Sequence, residues 1–333
     1  MQAFEIQRGS LIRRIYNIND GDFEGVALDV WRFQYQHNPV YHAFCTALGV
    51  SQDHVTHIGE IPFLPVVMFR EHDIMTGIWE PEVIFQSSGT TGTIPGRHLI
   101  RDLSWYYRIA DQAFTSSFGS PSKYTWLGLL PSYLERPDSS LVSMVHHFMQ
   151  QSRQPFNAFY PQIDSQLIDA LYDLARHQQA AILMGVSFAL LDLFEQYQLP
   201  VWDGLLVIET GGMKGKREEI TREELHARLS ANHPGLRISS EYGMTELLSQ
   251  AYLQSEAFHC AAAMKVYVRD ISDPLRLIGP EQRGVINIID LANLDTCSFI
   301  ATDDIGILDV RRGFRVLGRL DQSDMRGCNL MYE

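Results

Sequence analysis

The chain has 333 residues, enough to bury a large core in one large or two ordinary domains. Its 27 basic and 40 acidic residues leave a net charge of −13, and no basic run exceeds two residues. That balance argues against nucleic acid or an anionic membrane surface as partner.

Hydrophobic residues make up 45% and charged residues 20%, as in a soluble globular protein. The longest uncharged apolar run, 180–191, is too short to span a bilayer, so no membrane insertion is expected. The start, Met1-Gln2-Ala3-Phe4-Glu5, carries no signal pattern. Cys45, Cys260, Cys297 and Cys328 are scattered with no Cys-x-x-Cys pair. Neither a disulfide framework nor a zinc site is expected, and a cytoplasmic location is the default. The first three cysteines read as ordinary buried residues.

In chain order, Phe23, Val26, Ala27, Val30 and Phe33, then Tyr41, Phe44 and Leu48, predict two packed helices parted near Asn38-Pro39. Ile61-Pro62-Phe63-Leu64-Pro65 reads as a rigid connector. Val83-Ile84-Phe85 predicts a buried strand that feeds Ser87-Ser88-Gly89-Thr90-Thr91-Gly92. The side chains of that loop are hydroxyls or hydrogen, so its amides and hydroxyls can wrap phosphate oxygens.

A strand is predicted at 126–130, ending at Pro131. His146-His147 fall in an apolar helical stretch and read as core or surface histidines, with an acyl-channel role as the alternative. Residues 164–178 predict an amphipathic helix, 180–186 a strand and 188–197 a helix. Leu205-Leu206-Val207-Ile208 is a buried strand ending in Glu209-Thr210-Gly211-Gly212. Thr221 with Glu224 predicts a capping box. A strand at 236–240 leads into Glu241-Tyr242-Gly243-Met244-Thr245-Glu246. After about residue 265, short strands at 266–268, 284–289 and 314–317 predict a small β-rich subdomain.

The alternation argues for an α/β protein with largely parallel sheets, whose ligands sit beyond the carboxyl ends of the strands. The stretches 87–92, 209–212 and 241–246 are all expected there. No Gly-x4-Gly-Lys-Ser/Thr is present, which argues against a Walker-type NTPase.

Four segments carry a family resemblance: Ser88-Gly89-Thr90-Thr91-Gly92, Tyr242-Gly243-Met244-Thr245-Glu246, Thr302-Asp303-Asp304 and Gly318-Arg319-Leu320-Asp321. They resemble, in order, the Ser-Gly-Thr-Thr-Gly, Tyr-Gly-x-Thr-Glu, Thr-Gly-Asp and Gly-Arg-x-Asp patterns of the adenylate-forming superfamily. That superfamily includes acyl-CoA synthetases, luciferases and adenylation domains. The third pattern has Asp303 where the family has Gly, and the resemblance spans roughly residues 60–328.

The resemblance implies ATP and Mg2+ as cofactors. It assigns Ser88, Gly89, Thr90, Thr91 and Gly92 to the β- and γ-phosphates. Tyr242 would stack on adenine, with Gly243 giving close approach. Thr245 would donate to the α-phosphate and Glu246 would hold magnesium. Gly211 and Gly212 would wall the adenine and acyl sites, and Asp304 and Arg319 would take the ribose. Asp321 sits at the family's hinge. The family's Pro-Lys after the loop is replaced by 93–98, where Arg97 is the substitute cation considered.

The implied fold is α/β: an adenylate-forming core over 1–318, with subdomains of about 1–200 and 201–318 plus the β-rich part. Residues 319–333 would be a truncated hinge and tail, because the family's C-terminal lid continues for about a hundred residues. The tail carries Cys328, with Arg326 beside it to favour the thiolate.

This arrangement resembles the long-chain-fatty-acid–protein ligases, the acyl-protein synthetases of bacterial luminescence. That branch implies acyl-AMP formation from a carboxylic acid, a fatty acid in the first instance. Transfer to a cysteine thiol follows, with Cys328 as the acyl carrier and an acyl reductase or carrier protein as partner. A stand-alone aryl or acyl adenylase serving a carrier protein or coenzyme A is the alternative. A non-catalytic nucleotide-binding scaffold is the reading from a different class.

Overall fold

The computed structural model describes residues 2–87, 94–131, 138–213, 215–310 and 313–320. These form two compact units. The first takes the described parts of Met1–Ile109, Met244–Ser249 and Ser255–Glu333, and the second takes Ala110–Gly243 and Gln250–Gln254. The chain changes unit four times, at 109/110, 243/244, 249/250 and 254/255. A pattern along the chain reports elements but not which elements cluster.

The second unit is built on parallel strands in the order Ala158–Tyr160, Thr125–Leu129, Ala181–Val186, Leu205–Thr210, Arg237–Tyr242. Ala251–Gln254 joins the last of these antiparallel. The strands 125–129, 181–186 and 205–210 are buried at every residue. Burial on both faces is why they read as continuous apolar runs rather than alternating ones.

The helices Ser140–Ser152, Ser165–Arg176, Ser187–Gln196 and Arg222–Ser230 alternate with these strands. Ser139, Asp164 and Thr221 cap three of them by accepting the backbone N–H of Val142, Leu167 and Glu224. The capping box at Thr221 is only half made, because the Glu224 carboxylate turns to Arg228 at 2.6 Å. The rings of Phe114, Trp126, Phe148 and Tyr252 pack on one another in the core.

The first unit is an antiparallel sheet in the order Leu277–Ile278, Met264–Arg269, Arg283–Asp290, Phe299–Leu308, Phe314–Arg319, Ala257–Cys260. It contains the β-rich region expected after residue 265. Ala301–Gly306 lies inside the strand Phe299–Leu308 rather than in a surface turn.

The helices Gln2–Tyr16, Phe23–His37 and Pro39–Ala47 belong to the same unit. Pro39 opens its helix and Asn38 caps it through Tyr41 N–H, so the two helices separate at the expected residue. Asn38 and Gln34 are fully buried. The Gln34 amide donates to the carbonyls of Asn293 and Leu294 and accepts from Ser298 N–H. Asn38 donates to the Thr296 carbonyl at 2.8 Å. Arg8 forks onto Asp295 with two contacts of 2.6 Å.

Val83–Gln86 pairs antiparallel with Arg97–Ile100 in a separate two-stranded ribbon. Val83–Gln86, the strand before the hydroxyl-rich segment, thus has an antiparallel partner rather than a place in the parallel sheet as expected. Ser88, Gly89, Thr90, Thr91 and Gly92 lie outside the described residues, as do Asp321 and Cys328.

Candidate active site

In the first unit, Thr245 and Glu246 sit in a turn. No helix starts there, so a capping role for Glu246 falls away. Glu246 is 6% exposed. Its carboxylate lies so close to Gly96 that a Cβ at residue 96 would collide with it. Gly96 closes the base of the hairpin loop, with its N–H on Ser87 Oγ at 2.8 Å and its carbonyl on Ser87 N–H at 2.9 Å.

The Glu246 carbonyl accepts from Asn293 Nδ2 at 2.7 Å. Asp290 accepts from the N–H groups of Leu248 and Ser249, both at 2.9 Å, and from the Ser249 hydroxyl at 2.7 Å. His98 Nδ1 lies 2.8 Å from the Thr245 carbonyl. The turn is therefore held by buried polar side chains at every step.

Burial raises the Glu246 carboxyl above the usual carboxylate range; Arg70 and Arg319 oppose the rise and Asp304 adds to it. Those three charges are the electrostatic surroundings of Glu246. Arg319 Nε stands 3.5 Å from Asp304 Oδ1 across paired strands. Thr302 Oγ1 accepts the Asp304 N–H at 3.1 Å and donates to the Ile286 carbonyl at 2.8 Å.

Strand alternation leaves Asp303 exposed to solvent and Asp304 half-buried beside Arg319. Arg97, considered as the substitute cation, pairs with Asp73 at 2.9 Å.

In the second unit, the parallel neighbours Leu205–Thr210 and Arg237–Tyr242 each carry a carboxyl near their carboxyl ends, Glu209 and Glu241. Glu209 is buried and accepts from Ser187 Oγ at 3.0 Å, with Arg222 at 3.4 Å and His226 at 4.0 Å. Glu241 accepts from Thr210 Oγ1. Burial pushes the Glu241 carboxyl up to about 7; the Thr210 hydrogen bond opposes the rise and the Glu209 charge adds to it. Burial likewise lowers His226, which meets Ser240 Oγ at 3.1 Å.

Gly211 and Gly212 have φ of 75° and 64°, a region that disfavours any side chain. Gly243 is required for space instead, since a Cβ there would strike the Glu241 carboxylate. Tyr242 is 8% exposed at the end of its strand.

Residues 180–333 match the family described as acyl-protein synthetase, LuxE. Over that stretch the chain is LuxE-like. Among curated proteins nothing matches it. Among solved structures, a 2-hydroxyisobutyryl-CoA ligase in complex with 2-HIB-AMP and CoA is 14% identical. That match covers 90% of this chain and 70% of the other, with a TM-score of 0.66.

The luciferase-like enzyme of the nonluminescent mealworm Zophobas morio is 15% identical, covering 75% and 59%, at 0.50. The O-succinylbenzoate coenzyme A synthetase of Bacillus subtilis, in complex with ATP and magnesium, is 17% identical, covering 71% and 49%, at 0.51. At such identities the likeness is one of fold, that of the adenylate-forming enzymes. Family match and fold agree on an ATP-dependent, AMP-forming ligase.

Within the first unit, the structure gathers Glu246, Asp304 and Arg319 from three separate sequence segments, all inside the matched stretch. Gly211, Gly212, Tyr242 and Gly243 belong to the second unit. His147 is held by Asp111 at 3.1 Å and His146 is exposed, so nothing ties that pair to an acyl channel. Cys45 and Cys297 are buried and Cys260 is half-buried.

Sequence reasoning missed His98, Asp290 and Asn293, which hold the 245–249 turn, and also Glu209 and Glu241. The signal for Glu209 was available: a carboxylate directly after four apolar strand residues is a buried polar group needing partners. No helix among the described residues is long and apolar enough to cross a membrane.

Proposed function

We propose that this chain joins a carboxylic acid, in the first instance a fatty acid, to AMP and then passes the acyl group to a protein cysteine thiol. The observation that carries the reading is the company of Glu246: the base of the hydroxyl-rich loop at Gly96, and the Asp304–Arg319 pair. The family match supports the acyl-protein branch.

In the first step a carboxylate oxygen attacks the α-phosphorus of ATP. A phosphorus–oxygen bond forms, the α–β bridge breaks and pyrophosphate leaves. In the second step a thiolate sulfur attacks the acyl carbonyl, a carbon–sulfur bond forms and AMP leaves. Thr245 is assigned to the α-phosphate, Tyr242 to adenine, Gly211 and Gly212 to the wall of the adenine and acyl sites, and Asp304 with Arg319 to ribose. The residues 88–92 are assigned to the β- and γ-phosphates, and Cys328 to the acyl-carrying thiol.

Magnesium fits Glu246. Among the described residues no group of three or more His, Cys, Asp or Glu forms a metal cage. Magnesium suits such a place because it is held by one or two carboxylates together with substrate phosphates. When bound, it would neutralise phosphate charge. Glu246, buried and raised, is an oxygen ligand that a cation would keep ionised.

The test is labelled fatty acids of several lengths with ATP and magnesium, read on a denaturing gel before and after hydroxylamine. A label that needs ATP, yields to hydroxylamine and vanishes in Cys328→Ser supports the reading. Glu246→Gln should lower acid-dependent pyrophosphate exchange by about 10²-fold. No exchange with any acid would sink it.

A coenzyme A or carrier-protein acceptor is the second reading, favoured by the fold likeness to a ligase in complex with an acyl-AMP and CoA. Transfer would then survive Cys328→Ser.

A further inference from the structure

We propose that His98 is the positioning residue of the Thr245–Glu246 turn, acting through its Nδ1–H on the Thr245 carbonyl. The proposal rests on the adenylation reading above and adds a residue that none of the four sequence patterns contains.

His98 is 1% exposed, on the strand Arg97–Ile100 that leaves the hairpin loop. A carbonyl can only accept, so Nδ1 carries the hydrogen in the 2.8 Å contact with Thr245. Nε2 faces Thr296 Oγ1 at 3.0 Å. The Thr296 backbone is held in turn by Asn38 and by Thr76 Oγ1 at 2.6 Å. The Phe69 ring meets the imidazole edge-on, with centroids 5.6 Å apart, and fixes its plane.

One short stretch therefore grips two consecutive residues of the turn. Gly96 abuts the Glu246 carboxylate, and His98, two residues on, holds the Thr245 backbone. Residues two apart in an extended chain face the same side. The hairpin that carries the loop and the turn that carries Thr245 and Glu246 are thus registered by a single buried imidazole. A displacement of 1 Å in such a constellation costs roughly 10²-fold in rate.

The test compares His98→Leu with His98→Asn. The asparagine amide nitrogen takes about the position of Nδ1 and keeps a donor for Thr245, but does not reach Thr296. Leucine keeps the bulk and removes both contacts.

The expected result is a kcat for acid-dependent pyrophosphate exchange lowered by roughly 10²-fold in His98→Leu. KM for the acid should stay within about twofold, and His98→Asn should recover most of the kcat. Equal loss of kcat in both variants, in step with their thermal midpoints, would mean a packing role only and would overturn the proposal. So would an unchanged kcat in His98→Leu.

Should the wild-type chain show no exchange with any acid, the functional reading fails on its own. His98 is then judged by 15N-histidine spectra of the wild-type chain. An Nδ1–H imidazole upholds the Thr245 contact, and an Nε2–H imidazole refutes it.

Discussion

Glu241 shows how strand pairing turns a common side chain into an unusual one. It directly precedes Tyr242, the residue that the resemblance assigns to adenine. Burial lifts its carboxyl to about 7 from an ordinary 4.5, and the Glu209 charge on the neighbouring strand adds to the rise. The folded value exceeds the unfolded one, so the fold binds this proton the more tightly. The stability it supplies is present in full below about 4.5 and is lost as pH rises through 7.

Glu241→Gln keeps an acceptor for Thr210 and removes the titration. Wild type minus Glu241→Gln, as thermal midpoints, should therefore fall between pH 4.5 and 7 and level off above about 8. A difference constant with pH would refute the assignment. The identity of Glu241 was plain in the sequence. Its environment was not, because the burial that raises it is made by elements distant in sequence.

Among the elements, the helix Arg222–Ser230 was legible from Thr221 and its box-like partner, yet the partnership is not the one read. Thr221 caps through Glu224 N–H at 3.2 Å, while the Glu224 carboxylate pairs with Arg228, both about half exposed. Thr221→Ala should lower unfolding free energy by about 1 kcal/mol. Glu224→Ala should cost no more than about 0.5 kcal/mol, as for an exposed i,i+4 pair. Urea titrations of the two variants check this, and equal losses would restore the full capping box.

The hairpin Val83–Gln86 with Arg97–Ile100 gives the opposite lesson. The strand Val83-Ile84-Phe85 was readable from its apolar run, but its partner begins with Arg97-His98 and has no such run. Local pattern could not reveal the antiparallel pairing of the two strands.

The whole molecule depends on contacts far apart in sequence. Gln34 reaches Ser298 across 264 residues and satisfies two carbonyls and an N–H without exposure to water. Gln34→Leu leaves those groups buried and unpaired, at about 1–3 kcal/mol for each. The denaturant midpoint should fall accordingly. Because the 290–298 stretch also holds Glu246 through Asn293, KM for ATP should rise with it. A normal midpoint would show that the helix Phe23–His37 docks by apolar contact alone.

Composition, apolar period and four short segments determined the α/β strands and helices of the second unit, the β-rich region after residue 265 and the adenylate-forming resemblance. These are properties of local runs, where side-chain size and polarity act within a turn or a strand. Tertiary structure decided the rest: the four crossings between units, the half-burial of Asp304 beside Arg319, and the grip of His98, Asp290 and Asn293 on the 245–249 turn. Each depends on burial and on a partner many residues away. Desolvation and hydrogen-bond geometry act on distance in space, which a linear sequence does not record.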